Sequence, residues 1–541
     1  MTRPLELGTE ALQERTLAPL KASDEIQLMT SQETAPPLAM IEGCASQPQE
    51  PDLVSPNSIH DAPVHFEWRS RKLLATSLST VGRLVSRFGR LISHFAQELE
   101  IHGWRVAFRS TGALVESYVR SRRAWGRQRL TAVLVRTRNR VSSLLPMPSR
   151  QGVLFIGYVE ACLGLAQSLR GLISAAADRH IPFGIRPFRV GVETRILEQF
   201  MLEKFDLKHR YDINVIEVAA DQVPTVFETI DPRQLTASYN VLRTYWELPK
   251  APREWGPMLK GIDEIWAPNE FVCNAFKGIF PGPITIIPPC VSTDEPHYPD
   301  VVEFGMERGR FYFLFSFDFY SSHHRKNPIG VLNTFQLAFP DLNENVGLII
   351  KSTGFDAYQT VARDAYELDV GRQFRAAVDK DPRIRIVHDT MSRQKMLGLI
   401  RACDCYVSLH RAEGFGLGMA EAMSFGKAVI GTDYSGSTDF LSAETGFPVA
   451  YDLRAVKPGE YFWTEDQVWA EPNLDSAVAM FRLAFGDVKA RTLRAAAGRA
   501  LVHSKYGKAA VGAAVEKRLQ EISSRRADSS RTAASHRPGA S

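Results

Sequence analysis

An α/β fold built from two successive doubly wound domains is what the sequence predicts, on three observations. From Gly152 onward, short apolar runs such as "GVLFIGYV", "INVIEV" and "EIWAPN" alternate with helical stretches. Continuous apolar runs of strand length imply strands buried on both faces, the mark of a parallel sheet covered by helices. The alternation lapses once, around "STDEPHYPDVVEFGMERG", where Pro, Asp and Gly mark a linker, and then resumes with "FYFLFSFDF" and "VGLIIKS". Finally, 541 residues with 44% hydrophobic and 23% charged content supply material for more than one core.

Taken in chain order, residues 1–65 hold ten acidic side chains against Arg3, Arg15 and Lys21, and a disordered acidic leader is expected there. Residues 66–150 reverse the balance, with seventeen Lys and Arg against four Glu. Within them Leu74, Leu78, Val81, Val85, Phe88, Ile92, Phe95 and Leu99 alternate spacings of four and three, one apolar stripe on a helix flanked by arginines. Three readings of this basic amphipathic region stay open: packing on the protein's own domains, lying peripherally on an anionic membrane, or a short coiled coil interrupted by Gly82 and Gly89. No nucleic-acid-binding motif accompanies the charge, so no nucleic acid partner is expected. Residues 151–305 read as a first Rossmann-like domain, with further strands in "YNVLRTYWE" and "ITIIPPCV". Residues 306–485 read as a second, continuing through "RIRIVHDT", "DCYVSLH", "AVIGTDY" and "GFPVAYD". C-terminal helices over 486–521 and a disordered tail over 522–541 complete the chain.

Bulk features narrow the compartment. Six cysteines in this length form no disulfide framework, and they read as reduced thiols. No run approaches the roughly 18 apolar residues of a membrane helix, and the first residues lack an apolar signal core. A cytoplasmic protein is expected, with any membrane contact peripheral and at the inner face.

The chemistry concentrates in "HRAEGFGLGMAEAM", residues 410–423. The strand "DCYVSLH" leads through "RAEGFGLG" into a helix, so Glu413 falls at a strand's carboxyl end and Glu421 in the first turns of the following helix. Gly414, Gly416 and Gly418 let the backbone turn sharply and approach a ligand. A helix start suits a phosphate, and a carboxylate farther along suits a pair of ribose hydroxyls. Phe415 and Leu417 share that turn. Arg325 and Lys326, in "HHRKNP", follow the first strand of the same domain and project from the same sheet edge, where a guanidinium fork and an ammonium suit a diphosphate. Lys351, closing "VGLIIK", and the loop "TDYSGSTDF", with Ser435 and Gly436 offering backbone N–H groups, complete the candidates at that edge. Gly157 and Gly164 occupy the first domain's opening strand-to-helix turn. Asp379 and Asp381, an Asp-x-Asp pair, lie before Pro382 and away from any strand's carboxyl end; a loop is expected there and no metal.

Together "RKNP", "SLHRAEGFGLGMAEAMSFGKAVIGTDYSGSTDF" and "GYVEACLGLAQSLR" resemble glycosyltransferase family 4, the group 1 glycosyltransferases. The resemblance covers roughly residues 152–520 and implies a GT-B fold, two Rossmann-like domains facing a cleft, with the N-terminal extension outside it. It implies sugar transfer from a nucleotide-sugar to a glycan, polysaccharide or lipid-linked acceptor, with retention of anomeric configuration and no bound metal or other cofactor. On it, Glu413 contacts the donor sugar near the reacting carbon, Glu421 holds the ribose, and Arg325 and Lys326 neutralise the leaving diphosphate. Gly157 and Gly164 face the diphosphate or acceptor across the cleft. Arg325 and Lys326 are adjacent, where the family more often separates these cations, and Ser437 stands where asparagine is common. Two other readings of the same fold remain: a non-catalytic interaction protein, and a phosphorylase or epimerase.

Overall fold

The computed structural model describes residues 146–535, apart from 193–197, 294–300, 320, 362–363 and 389. The acidic leader, all but the last residues of the basic amphipathic region, and the end of the tail lie outside the described residues.

The first lobe is a six-stranded sheet of β1 (Ser149–Gly157), β2 (Phe183–Pro187), β3 (Arg210–Glu217), β4 (Tyr239–Arg243), β5 (Glu264–Ala267) and β6 (Ile284–Ile286). Its order is β2-β1-β3-β4-β5-β6, every pair parallel. Alternation along β1 divides its buried side chains between two faces. Val153 and Phe155 pack with Leu169 and Ile173 of α1 (Gly164–Asp178), whereas Leu154 and Ile156 belong to the cluster of Trp255 and Phe276 on the other side. Strand β2, "FGIRP", is short and carries Arg and Pro, which hid it from an apolar-run reading. Strand β6 stops before Pro288 and Pro289, which have no N–H to give to a ladder. Helix α2 (Glu270–Phe276) follows β5 and is capped by Asn269.

The second lobe repeats the plan with β7 (Phe311–Asp318), β8 (Val346–Thr353), β9 (Ile384–Val387), β10 (Cys405–Ser408), β11 (Ala428–Thr432) and β12 (Phe447–Val449). Its parallel order is β12-β11-β10-β7-β8-β9. Phe313, Phe315 and Phe317 of β7 bury on one face while Tyr312 and Leu314 bury on the other. Order reverses between β7 and β10, the switch point beside whose strand ends ligands usually bind in such sheets. Between the strands lie α3 (His323–Lys326), α4 (Pro328–Ala338), α5 (Ala365–Lys380), α6 (Arg393–Ala402) and α7 (Leu417–Ser424).

Two departures from the sequence reading concern the end of the chain. "GFPVAYD" is not one strand: β12 ends at Val449, and Tyr451 opens an antiparallel hairpin of β13 (Tyr451–Ala455) and β14 (Val468–Pro472). Its Val456 and Trp469 are buried in the first lobe's core cluster, so a second-lobe segment reaches across to the first. After α8 (Leu474–Gly486) and α9 (Val488–Tyr506), α10 (Lys508–Ser535) runs through residues 522–535, where composition suggested a disordered tail. Val511, Val515, Leu519 and Ile522 pack against the first sheet, and Arg526 donates to the carbonyls of Asp212 and Ala237. Arg518 grips the fully buried Glu264 through Nε and Nη2, both at 2.8 Å. Both lobes belong to one compact unit. Among the described residues no helix is long and apolar enough to cross a membrane.

Candidate active site

The site begins with a single helical turn. Ser322 caps α3 by accepting the N–H of Arg325, and Asn327 ends it in the left-handed conformation at φ 53°. Asn is among the few side chains that adopt this region readily, and the same Asn caps α4 through the N–H of Gly330. Compression of "RKNPIG" into one turn and a restart puts Arg325 and Lys326 side by side at the carboxyl end of β7. The backbone N–H of Arg411 donates to Arg325 O at 2.8 Å, laying this turn directly on the residues that follow β10. Adjacent cations therefore reach one acceptor, which accounts for their spacing in sequence.

That acceptor is Glu413. Lys326 Nζ pairs with its Oε1, and Arg325 Nη1 lies 3.1 Å from its Oε2 and 2.9 Å from Ala412 O. Burial alone would raise the Glu413 pKa, but Lys326, then Arg325 and His410, bring it down to about 2. Glu413 is therefore held as a carboxylate at neutral pH. Burial works against the charge of Arg325 too, yet Glu413 and then Glu247 hold its pKa well above the ordinary arginine value. Glu247, 3.7 Å from Arg325, is a first-lobe residue and accepts the hydroxyl of Tyr461, from the β13–β14 hairpin, at 2.8 Å. Two carboxylates and two cations thus form a neutral cluster spanning both lobes. Arg325 sits behind Glu413, buried, whereas the Lys326 side chain keeps 22% exposure.

The glycines have separable roles. Gly416 adopts φ 91°, a conformation open to glycine, at the entry to α7. Gly418 lets α7 pack on β10, since a Cβ there would fall 2.4 Å from the Tyr406 hydroxyl. Gly414 and Gly436 meet backbone to backbone: a Cβ on Gly436 would lie 2.2 Å from Gly414 O. Asn269 Nδ2 closes this contact from the first lobe, 2.7 Å from Gly414 O and 3.3 Å from Gly436 O.

Several expected donor-side residues are placed differently than the sequence suggested. Gly436 does not hold its N–H out to a ligand; it donates to Glu413 O at 2.9 Å, while Ser435 Oγ accepts the N–H of Glu413 at 2.8 Å. These two residues clasp the Glu413 backbone. The Phe415 ring turns into the core beside Phe440 and Tyr506. Leu417 is half-buried as the first residue of α7. Lys351 is buried at the end of β8, with its ammonium on Ser352 O and Thr353 Oγ1. Gly157 packs tightly on Glu217 O and Leu169, whereas Gly164 opens α1 with free space around it. Asp379 is not in a loop but in the last turn of α5. Asp381 is held by the Arg383 guanidinium ahead of β9, at the sheet edge opposite Glu413.

Glu421 is buried in α7, and its Oε1 lies 2.6 Å from Nη2 of Arg393. Arg393, Glu247, Tyr461 and His410 all escaped sequence reasoning. Glu247 carried a faint signal, as the charged end of the apolar run "YNVLRTYWE". His410 is fully buried between Ser408 and Ser437, its Nε2 3.1 Å from Ser437 Oγ, and burial pulls its pKa down to about 4. It is a neutral strut joining the end of β10 to the 434–437 loop.

Residues 383–450, which contain Arg393, Glu413 and Glu421, match the family model described as glycosyl transferases group 1. No curated protein matches the sequence. Among solved structures, Anabaena HepE in complex with UDP and glucose is similar over 69% of this chain and 100% of its own, at 13% identity and a TM-score of 0.49. A sucrose-phosphate synthase from Thermosynechococcus elongatus is similar over 69% and 100%, at 14% identity and 0.48. A UDP-forming α,α-trehalose-phosphate synthase from Burkholderia vietnamiensis is similar over 59% and 74%, at 12% identity and 0.42. The chain thus combines two six-stranded parallel sheets with a stretch of its second lobe, residues 383–450, that is similar to the group 1 glycosyl transferases.

Proposed function

We propose that the protein is a retaining, metal-independent glycosyltransferase that moves a sugar from a nucleotide-sugar to a glycan, polysaccharide or lipid-linked acceptor. The observation that carries this reading is the convergence of Glu413, Arg325 and Lys326 at the switch point between β7 and β10, with Glu421 two turns of chain away. A carboxylate that is ionised at neutral pH suits the sugar, whose reacting carbon gains positive character as its bond to the diphosphate breaks. The diphosphate leaves with the bonding electron pair, and the partly exposed Lys326 ammonium stabilises the charge that grows there. Arg325, already bound to Glu413 and Glu247, holds Glu413 in place and adds its field from behind. Glu421 serves the ribose. Gly164, with open space before α1, leaves room for the diphosphate or acceptor on the first-lobe side.

Domain limits of 151–305 and 306–485 follow from the same reading, as does a cytoplasmic location with peripheral membrane contact through residues 66–150. The test is donor turnover with UDP-, GDP- and ADP-sugars. Transfer or slow donor hydrolysis is expected in the wild type, falling about 10²–10³-fold in Lys326→Ala, the usual loss of one charge-stabilising donor. Unchanged turnover in Lys326→Ala and Glu413→Ala would overturn the site. Tight donor binding without any turnover would favour a non-catalytic GT-B protein.

A further inference from the structure

Glu421 differs from Glu413 in how its charge is met. Glu413 has two cations from the neighbouring loop, while Glu421 has Arg393, the first residue of α6. A cation at a helix N-terminus faces the positive end of the helix dipole, so its place there is not explained by the helix itself. The guanidinium is engaged elsewhere: Nη2 lies 2.6 Å from Glu421 Oε1 and 3.3 Å from Ser292 O. The Arg393 backbone N–H donates to Glu198 Oε1 at 3.1 Å. Ser292 lies where the chain leaves the first lobe, and next to it Thr293 Oγ1 is 3.0 Å from Ser424 Oγ, one turn beyond Glu421 on α7. Arg393 is thus held from both lobes, at the point where the chain crosses, with one end on the Glu421 carboxylate.

A buried carboxylate that loses the cation beside it no longer has a fixed direction or a compensated charge. Arg393 meets Oε1 as an ion pair outside hydrogen-bond geometry, which fixes that side of the carboxylate by charge and leaves Oε2 to accept from a ligand. Resting on the nucleotide-sugar reading above, we propose that Arg393 is the positioning residue that makes Glu421 selective for ribose: by pinning Oε1 it aims Oε2 at the ribose hydroxyls of the donor, so that ribonucleotides are preferred over 2′-deoxyribonucleotides.

The experiment is calorimetric titration of the full chain with UDP, GDP and ADP and with dUDP, dGDP and dADP. Wild type, Arg393→Ala and Arg393→Lys are compared, each first checked by thermal unfolding. For the nucleotide that binds, the wild type should prefer the ribo form about tenfold or more, the worth of one hydrogen bond to a charged group. In Arg393→Ala that preference should fall to within about twofold of unity, while the deoxy form binds with little change. Arg393→Lys, which keeps the charge but not the fork, should regain part of the preference, and it carries the comparison if the alanine variant fails to fold. A merely structural arginine would weaken both forms by the same factor and leave the preference intact, which overturns the proposal, as does a wild type that binds both forms equally. If the wild type binds none of the six nucleotides, the nucleotide-sugar reading itself falls, and this proposal with it.

Discussion

Replacing Glu413 by glutamine removes one negative charge from a buried cluster while keeping nearly the same volume, and its effect should depend on pH in a calculable way. Folded, the Glu413 carboxyl has a pKa of about 2, against 4.5 when unperturbed. A folded pKa below the unfolded one gives stability that is fully present above the unfolded value and lost as pH falls through the folded one. The whole effect is about 3 kcal/mol at neutral pH, and about 2 kcal/mol of it should disappear between pH 5 and pH 3. Other carboxylates titrate in the same interval, Asp206 among them at about 2, so wild-type acid lability alone proves nothing. The informative quantity is the difference between wild type and Glu413→Gln at each pH. Urea titrations followed by tryptophan fluorescence should find the variant less stable at pH 5, where Arg325 keeps Glu247 but has lost its nearer partner. The gap should narrow by about 2 kcal/mol at pH 3. A gap of constant size across that window would refute the claim that Lys326 and Arg325 hold Glu413 ionised.

Other substitutions separate site from scaffold. Gly436→Ala places a Cβ 2.2 Å from Gly414 O, so the loops must part; a loss of about 1–3 kcal/mol in thermal stability and a drop in sugar transfer are expected together. Gly164→Ala, with nothing within 4 Å of its new Cβ, should leave stability within about 0.5 kcal/mol, so any change in transfer it causes reports on ligand contact. Arg518→Ala strands Glu264 in the first lobe's core, at a cost of about 3–5 kcal/mol in chemical denaturation, while nucleotide affinity at 20 °C or below stays unchanged.

The cluster around Glu413 also gives the two lobes a reason to close. Glu247 and Asn269 come from the first lobe, Arg325, Glu413, Gly414 and Gly436 from the second, and Tyr461 from the hairpin that reaches back across. Gln467, on the same hairpin, exchanges hydrogen bonds with the backbone of Lys250, and Trp463 packs edge-on against Trp246 and Trp255. Glu247 on Arg325 and Asn269 on Gly414 and Gly436 are first-lobe contacts to this cluster.

What the sequence determined by itself was whatever depends on short-range order. Apolar runs separated by helical stretches are a local pattern, so most strands of both sheets were legible. So was the turn after β10, because glycines, a strand end and a helix start sit within fourteen residues of one another. Strand β2 and the β13–β14 hairpin were not, since short strands with charges and prolines lack an apolar signature. Neither was the continuation of α10 beyond residue 521, where Ser, Arg and Ala dominate the sequence and Arg526 finds its partners on the first lobe. Only the tertiary structure decided the partners of the two glutamates. Whether Arg325 faces a ligand or a second carboxylate, and whether Gly436 gives its N–H to a phosphate or to Glu413, depends on contacts between residues 20 to 170 positions apart. Charges and hydrogen-bond donors act through space, and a linear pattern records which are present but not which of them meet.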